Sequence, residues 1–392
     1  MKRTALAWRN FIHNKPRMLA SVGGVMFAVV LMLLEMGFLN GLYDSQSKIV
    51  KLLNADLLLV HVHKEAVVPK ISFPRKRLSQ ARANPDIVGA YPLYVEELRA
   101  LWKNSEDHGE YPIFVLAIEP GDPVFLIPEI NEQAELLKVA DTALIDSRSK
   151  KFFGSLAPDV EAELSRHAVR VVGTFPLGPD FRVDGNVLVS ATTFFKCFDD
   201  TGGRANGGSP YTLPVESKVD FGILQVRPGA DIAAVQRALQ NELPDDVRVV
   251  TKAEFIDEVK AYWGTSKPVG YVFGMGMVVG FLIGVTICYQ ILYSDINDRL
   301  PQYATLKAIG YGDGFLMRVV LGQALYLSLF GFGPGLLCGW GLYKLLEHVS
   351  GILMLLTPGR IVMVFVMTVI MCQVSAFIAV RRVLKSDPAD VF

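Results

Sequence analysis

The chain has 392 residues, of which 51% are hydrophobic and only 20% charged, with a mean hydropathy of +0.33. Soluble domains carry about 25% charge, so this composition excludes an ordinary soluble protein, and its plentiful apolar residues exclude a disordered one. Lys and Arg total 39 and Asp and Glu total 39, so no global basic field points to nucleic acid.

The first 17 residues hold Lys2, Arg3, Arg9, Lys15 and Arg17 and no acid. They are predicted to form a cytoplasmic amphipathic N-terminal segment. The 26 residues between Arg17 and Asp44 are interrupted only by Glu35. A spanning helix needs about 20 apolar residues, so a first transmembrane helix is expected over 18–42. The run is too long for a signal-peptide core, and no A-x-A cleavage site follows it. Glu35 is a functional candidate as an acid within a span; a position at the outer headgroup level or facing the bundle is at least as good a reading.

Residues 43–267 read as a mixed α/β domain long enough to bury its own core. Strands are predicted at Ala55–His63, Pro112–Ile118, Ala168–Phe175, Asn186–Ser190 and Asp220–Arg227. Helices are predicted at Asp231–Leu243, where Ile232, Val235 and Leu239 share a face, and at Lys252–Trp263. A Gly-, Ser- and Pro-rich stretch, Asp199–Pro214, marks a surface loop. His61 and His63 stand two apart in a predicted strand with Glu65 extending the row. That is half a metal site or, more often, a solvated strand face.

Leu42, Ile49, Leu52 and Leu53 fit one helical face after the first span. Phe255, Val259, Tyr262 and Trp263 do so before the second. The favoured reading is a pair of antiparallel helices continuing above the membrane as a stalk; the alternative is ordinary core-facing helices of the outer domain. Pro268, beside Gly270, places a bend at the membrane surface.

Three further uncharged runs follow, Pro268–Ser294, Val319–Tyr343 and the 20 residues between Arg360 and Arg381. They predict transmembrane helices at 268–293, 319–343 and 361–380, separated by a loop over 294–318 and a short periplasmic loop over 344–360, with a tail over 381–392. Arg299, Lys307 and Arg318 mark the first loop, and Arg381, Arg382 and Lys385 the tail. Both termini and the 294–318 loop are therefore expected on the cytoplasmic side, with 43–267 outside. Cys288, Cys338 and Cys372 fall in spans, which leaves Cys197 alone outside and forbids an intrachain bridge there. The absence of an Asn-x-Ser/Thr acceptor is compatible with a bacterial envelope.

Gly270, Gly274, Gly276, Gly280 and Gly284 put small residues on the second span, and Gly331, Gly335 and Gly339 on the third, around Pro334. Such rows permit close helix approach, either as a dimer seam or as packing within one chain. In the 294–318 loop, Leu300, Tyr303 and Leu306 recur at three-residue spacing, with Ala304, Ala308 and Ile309 nearby, before Gly310 and Gly312. That pattern is a short amphipathic helix stopped by glycine, suited to dock a partner or to rest on headgroups.

The dipeptide Gly-Lys never occurs, so the phosphate-binding loop for ATP hydrolysis is missing. No G-x-S-x-G elbow, H-E-x-x-H or paired-cysteine pattern is present, so neither a catalytic constellation nor a cofactor or metal is implied.

These features together resemble the MacB/FtsX-type permeases of ABC systems: one span, a large outer domain, three clustered spans and no ATPase. The run Asp298-Arg299-Leu300-Pro301-Gln302-Tyr303-Ala304-Thr305-Leu306-Lys307-Ala308-Ile309-Gly310 matches that family's cytoplasmic signature. DevC-type permeases show the strongest likeness, through Leu42-Tyr43-Asp44-Ser45, Asn54-Ala55-Asp56-Leu57, Val171-Val172-Gly173-Thr174-Phe175, Tyr289-Gln290-Ile291-Leu292-Tyr293-Ser294-Asp295 and the closing Asp387-Pro388-Ala389-Asp390-Val391. The sequence departs at Gln302, where relatives usually carry an acid. The resemblance implies a non-catalytic permease subunit in a bacterial inner membrane, homodimeric and bound to a separate ATP-binding subunit through Arg299, Leu300, Gln302, Tyr303, Leu306 and Lys307. It further implies a tripartite exporter of a lipid-like or amphiphilic substrate, with a periplasmic adaptor and an outer-membrane channel. The alternative is an FtsX-like transducer that activates a cell-wall hydrolase or senses an antibiotic without transport.

Overall fold

The computed structural model describes residues 15–104, 109–198, 217–301, 305, 309–351 and 354–385. The predicted loop Asp199–Pro214 and the basic head up to residue 14 lie outside them. Nine helices and thirteen strands are found among the described residues. The chain folds as two compact units, one holding residues up to Gly41 with Pro268–Val349 and the segment from Leu353, the other Leu42–Lys267 with Ser350–Ile352.

Four helices are long and apolar enough to cross a membrane. They are α1 (Lys15–Leu52), α7 (Pro268–Asp298), α8 (Asp313–Ser350) and α9 (Pro358–Lys385). Each outruns the apolar stretch that announced it, because charged residues at its ends extend the helix without entering hydrocarbon. The α8 helix runs unbroken through Pro334. The fold is therefore an α-helical membrane protein with four apolar helices and a large mixed α/β domain inserted between the first and the second.

The inserted unit is built on an eleven-stranded sheet in the order β13-β1-β12-β3-β6-β10-β7-β9-β8-β4-β5. Its strands are β1 (Leu57–His61), β3 (Ile87–Glu96), β4 (Leu101–Lys103), β5 (Glu110–Pro112), β6 (Phe114–Ile118), β7 (Thr142–Asp146), β8 (Glu161–Leu164), β9 (His167–Phe175), β10 (Asn186–Ser190), β12 (Phe221–Val226) and β13 (Val247–Thr251), while β2 (Phe73–Pro74) and β11 (Lys218–Val219) form a separate pair. Pairs β6–β10 and β7–β9 are parallel, and the other pairs are antiparallel. Both faces of the sheet are covered, which is why β6, β7 and β10 are buried at every position and carry consecutive apolar residues at their centres rather than an alternating pattern. On one face Leu57, Leu59, Val115, Ile145 and Val187 meet Leu78 of α2 (Lys76–Arg82), Phe194 of α4 (Ala191–Cys197) and Val235 and Leu239 of α5 (Ile232–Glu242). On the other, Leu58, Val60, Leu116, Leu144 and Leu188 meet Ile130 of α3 (Pro128–Gln133) and Phe255 and Val259 of α6 (Lys252–Ala261).

Helix starts follow their capping residues. Asp231 accepts from the Ala233 amide at 3.0 Å to open α5, and Thr251 with Glu254 forms a reciprocal box that opens α6. The edge strand β13 is blunted. The Val249 amide donates to Gln240 Oε1 at 2.9 Å, and Gln236 Nε2 donates to the Val249 carbonyl at 3.1 Å, so two α5 side chains occupy groups that another strand would otherwise pair.

The two stretches expected to form a stalk contribute to the core of the inserted unit. The first helix does run past residue 42, but Ile49, Val50, Leu53, Phe255 and Val259 are buried in the second face of the α/β core, with Leu52, Tyr262 and Trp263 packed against it. These two stretches are core-facing helices of the inserted unit. Helix α6 ends in a π-helical turn over Tyr262–Ser266, and an extended Lys267 breaks the chain before Pro268 begins α7. An extended residue ahead of proline is what ring crowding favours.

Candidate functional site

The loop joining α7 to α8 carries the strongest sequence signal. Arg299 is only 9% exposed, and its Nε donates to Asp295 Oδ1 at 3.1 Å, one turn back on α7. The guanidinium is thus turned onto the helix end, and Leu300 beside it is half-buried. Gln302, Tyr303, Leu306 and Lys307 lie outside the described residues, as does the closing Asp387–Val391. After them Gly310 takes φ +100°, a left-handed stop suited to glycine. Ile309 is 70% exposed and Tyr311 is exposed as well, its ring 4.5 Å from that of Phe315. Ile309 and Tyr311 thus leave apolar surface open beside the glycine stop.

The two glycine rows receive the same helix. A Cβ at Gly284 would stand 2.9 Å from Ala28 Cβ, one at Gly280 3.8 Å from Leu31 Cβ, and one at Gly276 would strike the Glu35 carboxylate. On α8, Gly331, Gly335 and Gly339 face Val25, Val29 and Leu33 of α1 with side-chain atoms 2.5, 2.8 and 2.6 Å from the missing Cβ. Both rows pack on α1, one from α7 and one from α8, and Gly284 also lies against the Met371 side chain of α9, which a Cβ there would strike first. Gly270 is also buried, whereas Gly274 has open space around it.

Glu35 points at the Gly276 stretch of α7 and is half-buried, so it faces a neighbouring helix. Polar ties across the bundle went unread in the sequence. Ser375 Oγ of α9 lies 2.8 Å from the Val285 carbonyl of α7, Gln373 Nε2 donates to the Leu321 carbonyl of α8 at 3.2 Å, and Tyr343 donates to the Leu33 carbonyl of α1. In an apolar medium each replaces a group that water cannot satisfy.

The histidine row does not form. Strand β1 ends at His61, and the His63 amide turns back to His61 Nδ1 at 3.2 Å, with the rings 5.5 Å apart. Among the described residues no three metal-ligating side chains come together. Burial first, and His63 second, hold His61 below the usual histidine range.

A buried charge pair escaped the sequence reading. Lys64 is fully buried; its amine donates to the carbonyls of Pro69 and Ile71 at 3.4 and 3.2 Å and lies over the Phe221 ring at 4.5 Å. Asp220, also buried, accepts from the Val95 amide at 2.9 Å. Burial pushes Lys64 down to about 8 against the opposing pull of Asp220, and burial raises Asp220 against Lys64. No pattern in the sequence distinguishes Lys64 from a surface lysine.

No curated protein matches the sequence. Among solved structures, the chain is similar to the periplasmic region of MacB from Actinobacillus actinomycetemcomitans, at 8% identity and TM-score 0.35, over 53% of this chain and 94% of that one. It is similar to the extracellular domain of the noncanonic ABC-type transporter YknZ from Gram-positive bacteria, at 11% identity and TM-score 0.33, over 50% and 99%. A domain of a putative permease protein from Porphyromonas gingivalis matches at 16% identity and TM-score 0.29, over 43% and 73%. Residues 274–388, which carry most of α7, the loop after it, α8 and α9, match the family model for the FtsX-like permease C-terminal region, so this part of the chain is similar to FtsX-like permeases.

Proposed function

We propose that the chain is the membrane subunit of an ATP-driven ABC exporter. A separate ATP-binding subunit docks on the 294–318 loop in the cytoplasm, and the loop passes its movement through the helices to the inserted domain outside. The match of residues 274–388 to FtsX-like permeases carries this reading. The exposed Ile309 and Tyr311 support a docking role for the loop, and the missing phosphate loop supports a partner that supplies ATP hydrolysis. The working form is a homodimer in a bacterial inner membrane, with a periplasmic adaptor and an outer-membrane channel, and the substrate is lipid-like or amphiphilic. As in DevC-type systems, the four spans need not enclose a channel.

The test replaces Tyr303 with Asp. A charge at the centre of an apolar docking face costs about 2 kcal/mol or more, roughly thirtyfold in affinity. The variant is expected to insert normally and to lose its ATP-binding partner. Wild-type binding and stimulation of ATP hydrolysis by Tyr303→Asp would show that the coupling surface lies elsewhere.

A further inference from the structure

A cavity of about 170 Å³ opens in the inserted unit where α2 meets β3 and the end of β6. At about 30 Å³ per water it holds roughly six waters, the space of a small molecule with no bulky body. Arg75, Ser79, Arg82, Tyr91, Glu119 and Asp122 supply its polar lining, and Leu78, Ala90 and Pro92 a short apolar stretch.

The four charges in this lining are not equivalent. Arg75 is committed: it pairs with Glu119 and donates to Tyr94 Oη at 3.2 Å. Arg82 and Asp122 reach the same cavity, yet neither side chain makes a hydrogen bond or ion pair with a described residue. A guanidinium and a carboxylate that share a cavity without closing on each other present opposite charges across a gap. A ligand carrying both signs bridges that gap better than water does, because each end replaces lost hydration with a charge-assisted hydrogen bond.

We propose that this cavity binds a small zwitterion, its anionic group on Arg82 and its primary ammonium on Asp122. Burial and then Glu119 push the Asp122 carboxyl up to about 6, with Arg75 and Arg82 opposing them. Arg75 is taken up by Glu119, so among the described residues Asp122 has no bonded cation of its own and can receive the ammonium. The chemistry is shared by free amino acids or amino sulfonates and by an ethanolamine-phosphate lipid headgroup. The site does not depend on the export reading, since binding is defined without transport.

Taurine is a suitable probe, because its sulfonate keeps one negative charge and its ammonium one positive charge between pH 5 and 7.5. Calorimetric titration of the full chain in detergent is expected to show taurine binding. Isethionate, which lacks the ammonium, and ethanolamine, which lacks the anion, should each bind at least tenfold more weakly. Arg82→Ala and Asp122→Asn should each lose tenfold or more. Ser79→Leu, which fills the cavity from its exposed rim, should abolish binding and serves where either variant fails to fold. At pH 5 about one Asp122 in eleven is ionised, so affinity should fall roughly tenfold from pH 7.5 to pH 5 in the wild type and stay flat in Asp122→Asn. In nanodiscs, weaker taurine binding with phosphatidylethanolamine than with phosphatidylcholine identifies the lipid headgroup as the natural ligand; equal binding identifies a soluble zwitterion. Absence of taurine binding, or wild-type binding by folded Arg82→Ala and Asp122→Asn, overturns the proposal. Loss of the ATP-binding partner would leave all these results unchanged.

Discussion

Adding one methyl group at Gly335 places its carbon 2.8 Å from both Cβ and Cγ1 of Val29, inside any real contact distance. Val29 is β-branched and stiff, so α1 and α8 must part for the methyl to fit. The same addition at Gly333, two residues earlier on the same helix, meets nothing within 4 Å. Gly→Ala in an open helix gains about 1 kcal/mol, whereas overpacking costs about 1–3 kcal/mol. Gly333→Ala is therefore expected to stabilise slightly and Gly335→Ala to cost about 0–2 kcal/mol net, a separation of roughly 1–3 kcal/mol. For a unit of this size that is about 2–12 °C in midpoint. Gly331→Ala should behave like Gly335→Ala, since Val25 Cγ1 and Cβ stand 2.5 and 2.6 Å away. Gly339→Ala should cost less, because the atom in its way is Leu33 Cδ1, which swings on a flexible side chain. Apparent melting of the detergent-solubilised chain at one fixed scan rate ranks the four variants. Equal shifts for Gly333→Ala and Gly335→Ala would refute the close approach of α1 and α8.

Three other outcomes are expected. Lys64 has a folded value near 8 and an unfolded value near 10.5, so its burial opposes folding below pH 8; stability should rise between pH 8 and 10 as the folded form releases its proton first. Urea midpoints should show this gain, at most about 3 kcal/mol, in the wild type and not in Lys64→Met. Replacing Gln236 and Gln240 by Leu should expose the edge of β13, speed exchange of the Val249 amide about fivefold or more and promote aggregation in concentrated samples. A reporter cysteine at Gly203, in a chain freed of its four native cysteines, should react with an impermeant thiol reagent once the outer membrane is opened. Labelling that needs a broken inner membrane would reverse the proposed orientation.

What the sequence revealed follows from what each pattern encodes. Hydrocarbon solvation needs long uncharged runs, so all four spans were legible. Of the strands buried on both faces, β10 was predicted at its observed limits, Asn186–Ser190, whereas β7 was not, because Thr142 and Asp146 leave it only three apolar residues in a row. The ten-residue β3 was missed because Gly89 and Pro92 argue against a central strand. In the structure Pro92 pairs only with Gly222 of β12, and β6 joins from Leu93 onward, so the missing amide costs no ladder bond. The stripes around Ile49 and Phe255 fixed a helical face and said nothing of what covers it, so a stalk and a core looked alike. The glycine rows encoded close approach without naming the partner helix. Arg82 and Asp122 are 40 residues apart and belong to no motif; only the fold brings them to one cavity.

Purification of the tagged chain from its native membranes, with mass spectrometry of what accompanies it, shows directly whether it works with a separate ATPase. A permease subunit should bring down a separate ATP-binding subunit in comparable amount, with ATP hydrolysis by the complex and no hydrolysis by the chain alone once contaminating ATPases are removed. A chain that elutes with no nucleotide-binding partner, or that hydrolyses ATP by itself, would contradict that role.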